Sequence, residues 1–474
     1  MTSAKSNITT VIIYAIGVAF CVFLLPAPYS MAMEVSANRS QTAASSDPGI
    51  VTSPPITKSF SLSTCFNFAD QNNKDIAVAK HNLAISKAGI RIAGAIPNPQ
   101  LQVQTGFGDS FLFLFTGQTQ QAFLTQQIQT AGKRTKKIAV ARENYQVIEL
   151  QLAALRFDVH NRVRRAYAEL AAAEAYEALI EDQREVASKL LRIAKSKSVS
   201  TKDDDSELLQ AKLNVDQFDP QRNQAQGRLQ QASTNLALVT GIKPQRIEVF
   251  DVDDNGLFKL SSQATEIVPS PILQLPPVEQ LIHTAFSARL DLKMAQERVA
   301  MNRKAVALAR AERVPDVSIG SGFTFASFAK NQPVGLANAS NYFGEGAFFT
   351  MSTEAPVFYQ HQGEIQQALG TLRQSERQVE LLKSQSAAST VSDYNSVKIA
   401  KANLILYKEQ LIPTAASLAK LALDGYQAGT TDLSTALVAQ QQYQQTLSSY
   451  FDTVVSYQTA WADLERDVGL PLQK

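Results

Sequence analysis

Between Lys133 and Asp219 the chain carries neither glycine nor proline. A run that long without a helix-breaking residue restricts the local structure to very long helices. Within it Ile148, Leu152, Leu155, Val159, Val163, Ala166 and Leu170 recur at steps of three and four, a coiled-coil-like seam. A helix from about Lys136 to Ser196 would reach roughly 90 Å at about 1.5 Å per residue. The returning leg, through "SELLQAKLNVDQF", is interrupted by Pro220.

The chain also contains two copies of one pattern. "NPQLQVQTGF" (Asn98 to Phe107) aligns with "VPDVSIGSGF" (Val314 to Phe323), so that Pro99 meets Pro315 and Gly106 meets Gly322. Asp75 meets Asp291 at the same offset, and Gly241 meets Gly469 near the ends. This predicts an internal twofold repeat. Repeat 1 covers 61–242, with strands at about 100–114 and 121–131 and a helical hairpin whose tip lies at about 196–205. A linker covers 243–277. Repeat 2 covers 278–474, with strands at about 316–326 and 347–357 and a tip at about 424–432. Its outward helix runs from about Gly370 to Asp424, kinked at Pro413, and its return from Asp432 to about Val468.

The strands alternate. Leu101, Val103, Thr105 and Phe107 share one parity against Gln100, Gln102 and Gln104. Val317, Ile319, Phe323 and Phe325 oppose Ser318, Gly320, Gly322 and Thr324. An apolar face against core and an apolar face against lipid give the same alternation. Strand number separates them: four strands neither close a barrel nor cover a core alone, so further chains are needed.

The formal charge of +2 and the absence of a basic run argue against a nucleic-acid partner. Lys5, the apolar stretch Val11 to Leu25 and the exit "PAPYSMAM" read as a signal peptide over 1–32, cleaved near Ala32. An uncleaved anchor is the alternative, but the stretch is short for a span of about 20 residues. Phe20 beside Cys21 makes a poor lipidation site. Polar residues 33–60 read as a flexible mature N-terminus. Cleavage would leave Cys65 alone, with no internal disulfide, and the fold must then hold by packing.

"NPQLQV", "ARAERVPDVSIGSGF" and "GYQAGTTDLSTALVAQ", together with the repeat, resemble the TolC-type outer-membrane efflux channels over about Ser61 to Leu472. The resemblance implies a mainly α fold with a small β part. Long antiparallel helical hairpins would form a periplasmic tunnel, and four membrane strands per protomer would complete a trimeric β-barrel in the outer membrane. The implied partners are two further copies (a homotrimer), a periplasmic adaptor, an inner-membrane pump and outer-membrane lipid. Leu101, Val103, Phe107, Val317, Ile319 and Phe323 would face lipid. Gly425, Tyr426, Gly429, Thr430, Thr431 and Asp432 at one tip, and Asp203, Asp204 and Asp205 at the other, would dock the adaptor. Ordinary turn and cap chemistry is the simpler account of both tips.

Some drug-exporting relatives carry Asp where this chain has Thr435 and Val438, so a carboxylate gate is not expected there. "GKR" at Gly132 to Arg134 is similar to the heavy-metal branch of the family. His81, His160, His283 and His361 lack metal-ligand spacing, and no phosphate loop, GxSxG or catalytic carboxylate pair is present. The expectation is a passive exit duct for metal cations or small organic compounds, with no enzyme activity, cofactor, catalytic residue or resident metal. Polypeptide secretion is the alternative within the class, and a structural or adhesin barrel the alternative outside it.

Overall fold

The computed structural model describes residues 61–106, 119–200, 205–242, 250–252, 258–260, 275–326 and 346–472. The expected signal peptide and mature N-terminus lie outside them, as do Phe107, Asp203 and Asp204. In chain order the helices are α1 (Leu62–Asn72), α2 (Lys74–Ala93), α3 (Lys133–Ser200), α4 (Asp205–Asp216) and α5 (Phe218–Thr240). Then follow α6 (Val278–Ala288), α7 (Leu290–Glu312), α8 (Gln362–Leu406), α9 (Ile412–Ala428) and α10 (Leu433–Val468). The strands are β1 (Gln100–Gly106), β2 (Thr119–Ile128), β3 (Phe250–Val252), β4 (Phe258–Leu260), β5 (Val317–Ala326) and β6 (Gly346–Thr353).

The glycine- and proline-free run becomes α3, a helix of 68 residues, or roughly 100 Å at about 1.5 Å per residue. Pro220 falls in the first turn of α5, where its missing N–H removes no helical bond, and Gln217 breaks α4 from α5. In the second half Pro413 is preceded by a π-helical turn, Tyr407–Leu411, which absorbs the lost bond between α8 and α9.

An antiparallel sheet runs β1-β2-β5-β6. The helices keep that order. Beside the sheet α2 packs on α3, α3 on α7 and α7 on α8; farther away α5 packs on α3, α3 on α10, and α10 on α8 and α9. Among the described helices only α3 and the α8–α9 leg traverse both halves. The outer helices stay uncovered: Ile76 is the one buried residue of α2, and α2 exposes Val78, Ile85 and Ile92 at heptad spacing.

Where the halves meet, each short joint abuts the end of a long helix. Asn73 caps α2 by accepting from Asp75 N (2.8 Å) and Ile76 N (3.1 Å), and its amide donates to Val239 O at the end of α5 (2.8 Å). Gly241 ends α5 at φ 76°, and a Cβ there would lie 2.7 Å from Asn72 O. At the α6–α7 joint Arg289 donates to Ser389 Oγ on α8 (3.2 Å) and Asp467 O on α10 (3.4 Å). Gly469 ends α10 at φ 78°, hard against Arg289 Cα. Glycine is required at both ends. The core concentrates here and along α3, with Val159, Val163, Tyr167, Leu170, Leu236, Tyr457, Trp461 and Leu464 all buried; Cys65 joins it from α1.

Several boundaries differ from the sequence reading: the second strand is Thr119–Ile128 rather than 121–131, and the outward helix of the second half begins at Gln362 rather than about Gly370. The last strand ends at Thr353 rather than 357, because Pro356 cannot donate to a ladder. The first strand is described only to Gly106, short of 114. The segment 243–277, read as a linker, contains the β3–β4 hairpin.

Asp393 of α8 faces Asp467 and Asp463 of α10, with Arg289 and Arg466 beside them and Arg165 of α3 paired to Asp463. Burial, and then the two neighbouring carboxylates, push the Asp393 carboxyl from 3.8 up to about 6. The folded protein therefore binds this proton more tightly than the unfolded chain. The resulting stability is complete below the ordinary Asp value and is lost as pH rises through about 6. The thermal midpoint should fall by a few degrees between pH 5 and 7, and Asp393→Asn should flatten that slope and melt higher at pH 7. Parallel melting profiles would locate the titrating group elsewhere.

Candidate functional site: the hairpin tips and the sheet

The tip between α9 and α10 is built from local backbone demands. Gly429 lies at φ 77°, Thr430 N donates to Gly425 O (2.9 Å) and Gly429 N to Tyr426 O (3.2 Å). This is a Schellman closure, with glycine at the left-handed position. Gly425 does a different job from the one its turn position suggests. It is helical, and a Cβ there would lie 2.8 Å from Thr431 Oγ1. Thr430 and Thr431 donate to carbonyls of the last α9 turns, Gly425 O (3.1 Å) and Ala422 O (3.3 Å). Asp432 stands at the N-cap of α10, its carboxylate accepting from the hydroxyls of Ser434 and Thr435, which hold it below the usual carboxylate range. Thr435 and Val438 are exposed and carry no carboxylate.

Tyr426 is fully buried and connects the two tips. Lys197, in the last turn of α3, places Nζ 3.9 Å from the centre of its ring and donates to its carbonyl oxygen at 2.8 Å. From α4, Glu207 Oε2 lies 3.5 Å from the phenol oxygen. Burial and then Glu207 push the phenol up to about 12, so it remains a donor. Leu190, Ala194, Ala211, Leu433 and Ala436 pack around it. In sequence Lys197 is one of the cations of the run "AKSKSVSTKDDD", and nothing there points to Glu207, whose role depends on a contact between distant helices. Asp205 begins α4; Asp203 and Asp204 lie outside the described residues.

At the other end the sheet has two unlike faces. Register pairs Leu101 with Leu124, Val103 with Ala122, Ala122 with Phe323, Ile319 with Met351 and Val317 with Ile128, so these share a face. That face is open: Leu101 and Val103 are each 69% exposed, Phe323 58%, Phe349 86% and Met351 74%. The opposite face carries Gln100, Gln102, Gln104, Gln121, Thr125, Ser318 and Thr350; the three glutamines of β1 are exposed, and the face is crowded around Gly320 and Gly322. A Cβ on Gly320 would lie 2.6 Å from Thr350 Oγ1, and one on Gly322 2.4 Å from Phe123 Cβ. Phe123 and Phe348 meet over Gly322 at 6.0 Å. Side chains converge on the polar face and splay on the apolar one, as in a sheet curved toward its polar side.

The "GKR" segment joins sheet to helices. Ala131 and Gly132 both have positive φ, and Lys133 Nζ reaches Asp316 Oδ1 (2.7 Å) just before β5. Asp316 also accepts from Thr130 N (3.1 Å) and Gln127 Nε2 (3.1 Å), and Arg134 donates to Gly94 O at the end of α2 (2.7 Å). Both cations therefore serve structural partners. Asp316, at the centre of this bracket, was not singled out by its sequence. The histidines sit apart: His160 stacks on Phe66 (4.8 Å), His361 lies near Glu364 (3.7 Å), and His81 and His283 are exposed on other helices. Among the described residues no group of three His, Cys, Asp or Glu side chains converges on a metal-sized site.

Comparison with known proteins follows this geometry. The profile of the outer membrane efflux protein family matches residues 67–242 and 281–470. The cobalt-zinc-cadmium resistance protein CzcC of Cupriavidus metallidurans is 21% identical over 410 residues, covering 86% of this chain and 90% of that one. Among solved structures, CusC superposes with a TM-score of 0.67 at 18% identity, covering 86% of this chain and 92% of its own. The outer membrane protein VceC of Vibrio cholerae gives 0.63 at 17% identity, with 86% and 96% covered.

Removing the Lys197 contacts should loosen the tip from its neighbour. Lys197→Met should speed amide exchange at residues 425–432 about tenfold, the effect of roughly 1.4 kcal/mol for a cation–π contact and a hydrogen bond. Unchanged exchange there, measured by mass spectrometry, would mean that packing alone holds Tyr426.

Proposed function

This chain belongs to the outer membrane efflux protein family, and we propose that it is the outer-membrane channel and periplasmic tunnel of a tripartite exporter, working as a homotrimer. The observation that carries this reading is the open apolar face of the sheet, set against a polar face whose side chains close in around Gly320 and Gly322. A sheet folded for water alone would bury that apolar face. Lipid outside and water inside reverse that preference. Leu101, Val103, Val317, Ile319 and Phe323 are then the lipid-facing residues, with Phe107 continuing their parity in sequence.

Assembly follows from the edges. Among the described residues β1 and β6 each lack a partner on one side, and α2 and α5 on one flank and α8 on the other are likewise outermost. Copies joined flank to flank would pair the strand edges and extend the helical wall at the same time. Three copies give twelve alternating strands. The internal repeat supplies each copy with two hairpins of helices, whose tips end the tunnel on the periplasmic side. The tip around Gly425–Asp432 would meet a periplasmic adaptor, and an inner-membrane pump would supply the energy. Transport through the duct is passive and involves no catalysis. Asp203, Asp204 and Asp205 would offer the adaptor a charged contact at the other tip. Export to the outer membrane would require the cleaved segment ending near Ala32.

Divalent metal cations are the favoured cargo, on the likeness to a protein named for cobalt, zinc and cadmium resistance. Lys133 and Arg134 lend this no separate support, because each already holds a structural partner. Deleting the gene should lower the inhibitory concentrations of cobalt, zinc and cadmium salts several-fold and leave those of lipophilic antibiotics unchanged, with plasmid restoration. The opposite pattern would transfer the duct to organic compounds. Sensitivity to neither would favour polypeptide secretion.

Gly429→Pro tests the docking role. Proline cannot adopt φ 77°, so this tip should be rebuilt while the sheet, at the other end of the helices, remains intact. Normal trimers with export reduced to the level of the deletion are expected. Normal export by this variant would remove the tip from the docking site.

A further inference from the structure

The loop after β6 presents an exposed aromatic side chain from a rigid frame. Val357 is 73% and Phe358 100% exposed. Their neighbour Tyr359 is fixed: its hydroxyl donates to Glu364 Oε2 (2.7 Å) and accepts from Gly363 N (3.1 Å) in the first turn of α8. A Cβ on Gly363 would lie 2.5 Å from that hydroxyl. Gln360 Oε1 accepts from Arg313 Nη2 (2.9 Å), tying the loop to the end of α7. Phe358 is thus held outward by its neighbours, with none of them covering it.

A second apolar cluster stands at the helix-side end of the sheet on the opposite flank. Val317 pairs with both Ile128 and Thr353, which fixes the helix-side end of the sheet. Gln126 Nε2 donates to Pro97 O (2.8 Å), so the segment entering β1 passes that same end. Ile96 on that segment is 65% exposed, and Ile92 in the last turn of α2 is 76% exposed. The Phe358 loop continues edge strand β6, and the Ile96 segment leads into edge strand β1. These edges run in opposite directions, so pairing β6 with the β1 of another copy continues the antiparallel alternation. That pairing brings the two clusters together.

We infer that Phe358 of one copy packs on Ile92 and Ile96 of the next, sealing the ring where the sheet passes into the helices. The inference rests on the flank-to-flank assembly proposed above and assigns that interface a residue-level anchor. Edge continuity favours a second copy over lipid as the occupant, because the loop is an extension of the strand whose backbone needs a partner strand.

The test is site-directed disulfide formation. With Cys65→Ser as background, Ile96→Cys combined with Phe358→Cys should, on oxidation in outer membranes, give covalent dimers and trimers on non-reducing gels. Neither single variant should. Native mass spectrometry of the same samples reports assembly independently. Phe358→Asp should lower the temperature at which the oligomer dissociates, and Phe358→Trp should preserve it. Intact oligomers without a disulfide would overturn the contact, and quenching of a fluorophore on Phe358→Cys by spin-labelled lipid would then assign the loop to the membrane interface. Monomers in the unsubstituted protein would overturn the assembly itself.

Discussion

The unsatisfied backbone along β1 and β6 is the constraint on which the rest of the structure depends. A four-stranded antiparallel sheet has two edges, and in a bilayer each open N–H and C=O along them costs several kcal/mol. Charges and bulges blunt edges in water, but neither remedy works in hydrocarbon. The described edge strands carry neither Lys, Asp nor Glu, and Pro99 and Pro356 lie just beyond their ends. The same openness recurs in the helices. Because α2, α3, α7 and α8 stand in the order of the strands they adjoin, a neighbour that paired with a sheet edge would also lie along the outer helix on that flank.

Keeping that order over the full length falls to two legs, α3 and α8–α9, since the other described helices, apart from the short α4 near the tip, start or stop where the halves meet. Those stops concentrate buried charge. Arg164 Nη2 lies 3.3 Å from Glu465 Oε2, and Glu465 Oε1 accepts from Trp461 Nε1 (2.9 Å) and Leu472 N (3.0 Å). Lys133 with Asp316 repeats the arrangement where sheet meets helices. A buried ion pair adds little net stability over an apolar substitute, but losing one partner costs several kcal/mol. Such pairs therefore fix which helix end meets which joint, while the Leu and Val seam of α3, which could slide by a heptad, supplies the burial.

Local rules made much of this legible. The glycine- and proline-free run had to be helix, period two had to be strand, and Gly429 had to close a turn, because each depends on a few neighbouring residues. The β3–β4 hairpin was missed although Asn255-Gly256 is a turn signal, because three-residue strands leave almost no periodicity. Phe123 and Phe348 broke the polar parity, and only the register shows that both lean over Gly322. Gly425 was read as a turn residue, whereas its lack of a Cβ makes room for Thr431. Asp316, Glu207 and Asp393 stayed invisible for a common reason. Each acts through a partner more than seventy residues away, and sequence spacing has no access to such contacts.

The tips show what that blindness conceals. Read separately, one is a glycine turn and the other an acidic helix start. In the structure they form one unit: Lys197 neutralises the carbonyl end of α9, where the helix dipole is negative, and covers Tyr426, while the phenol points to Glu207 at the start of the returning helix. Cation, ring and carboxylate come from three helices, and the ring between the two charges has no solvent exposure. Displacing α9 alone would expose the ring and strip a buried carbonyl of its donor at the same moment. Displacing both hairpins together would preserve these contacts. A displacement of one tip is therefore shared with the other.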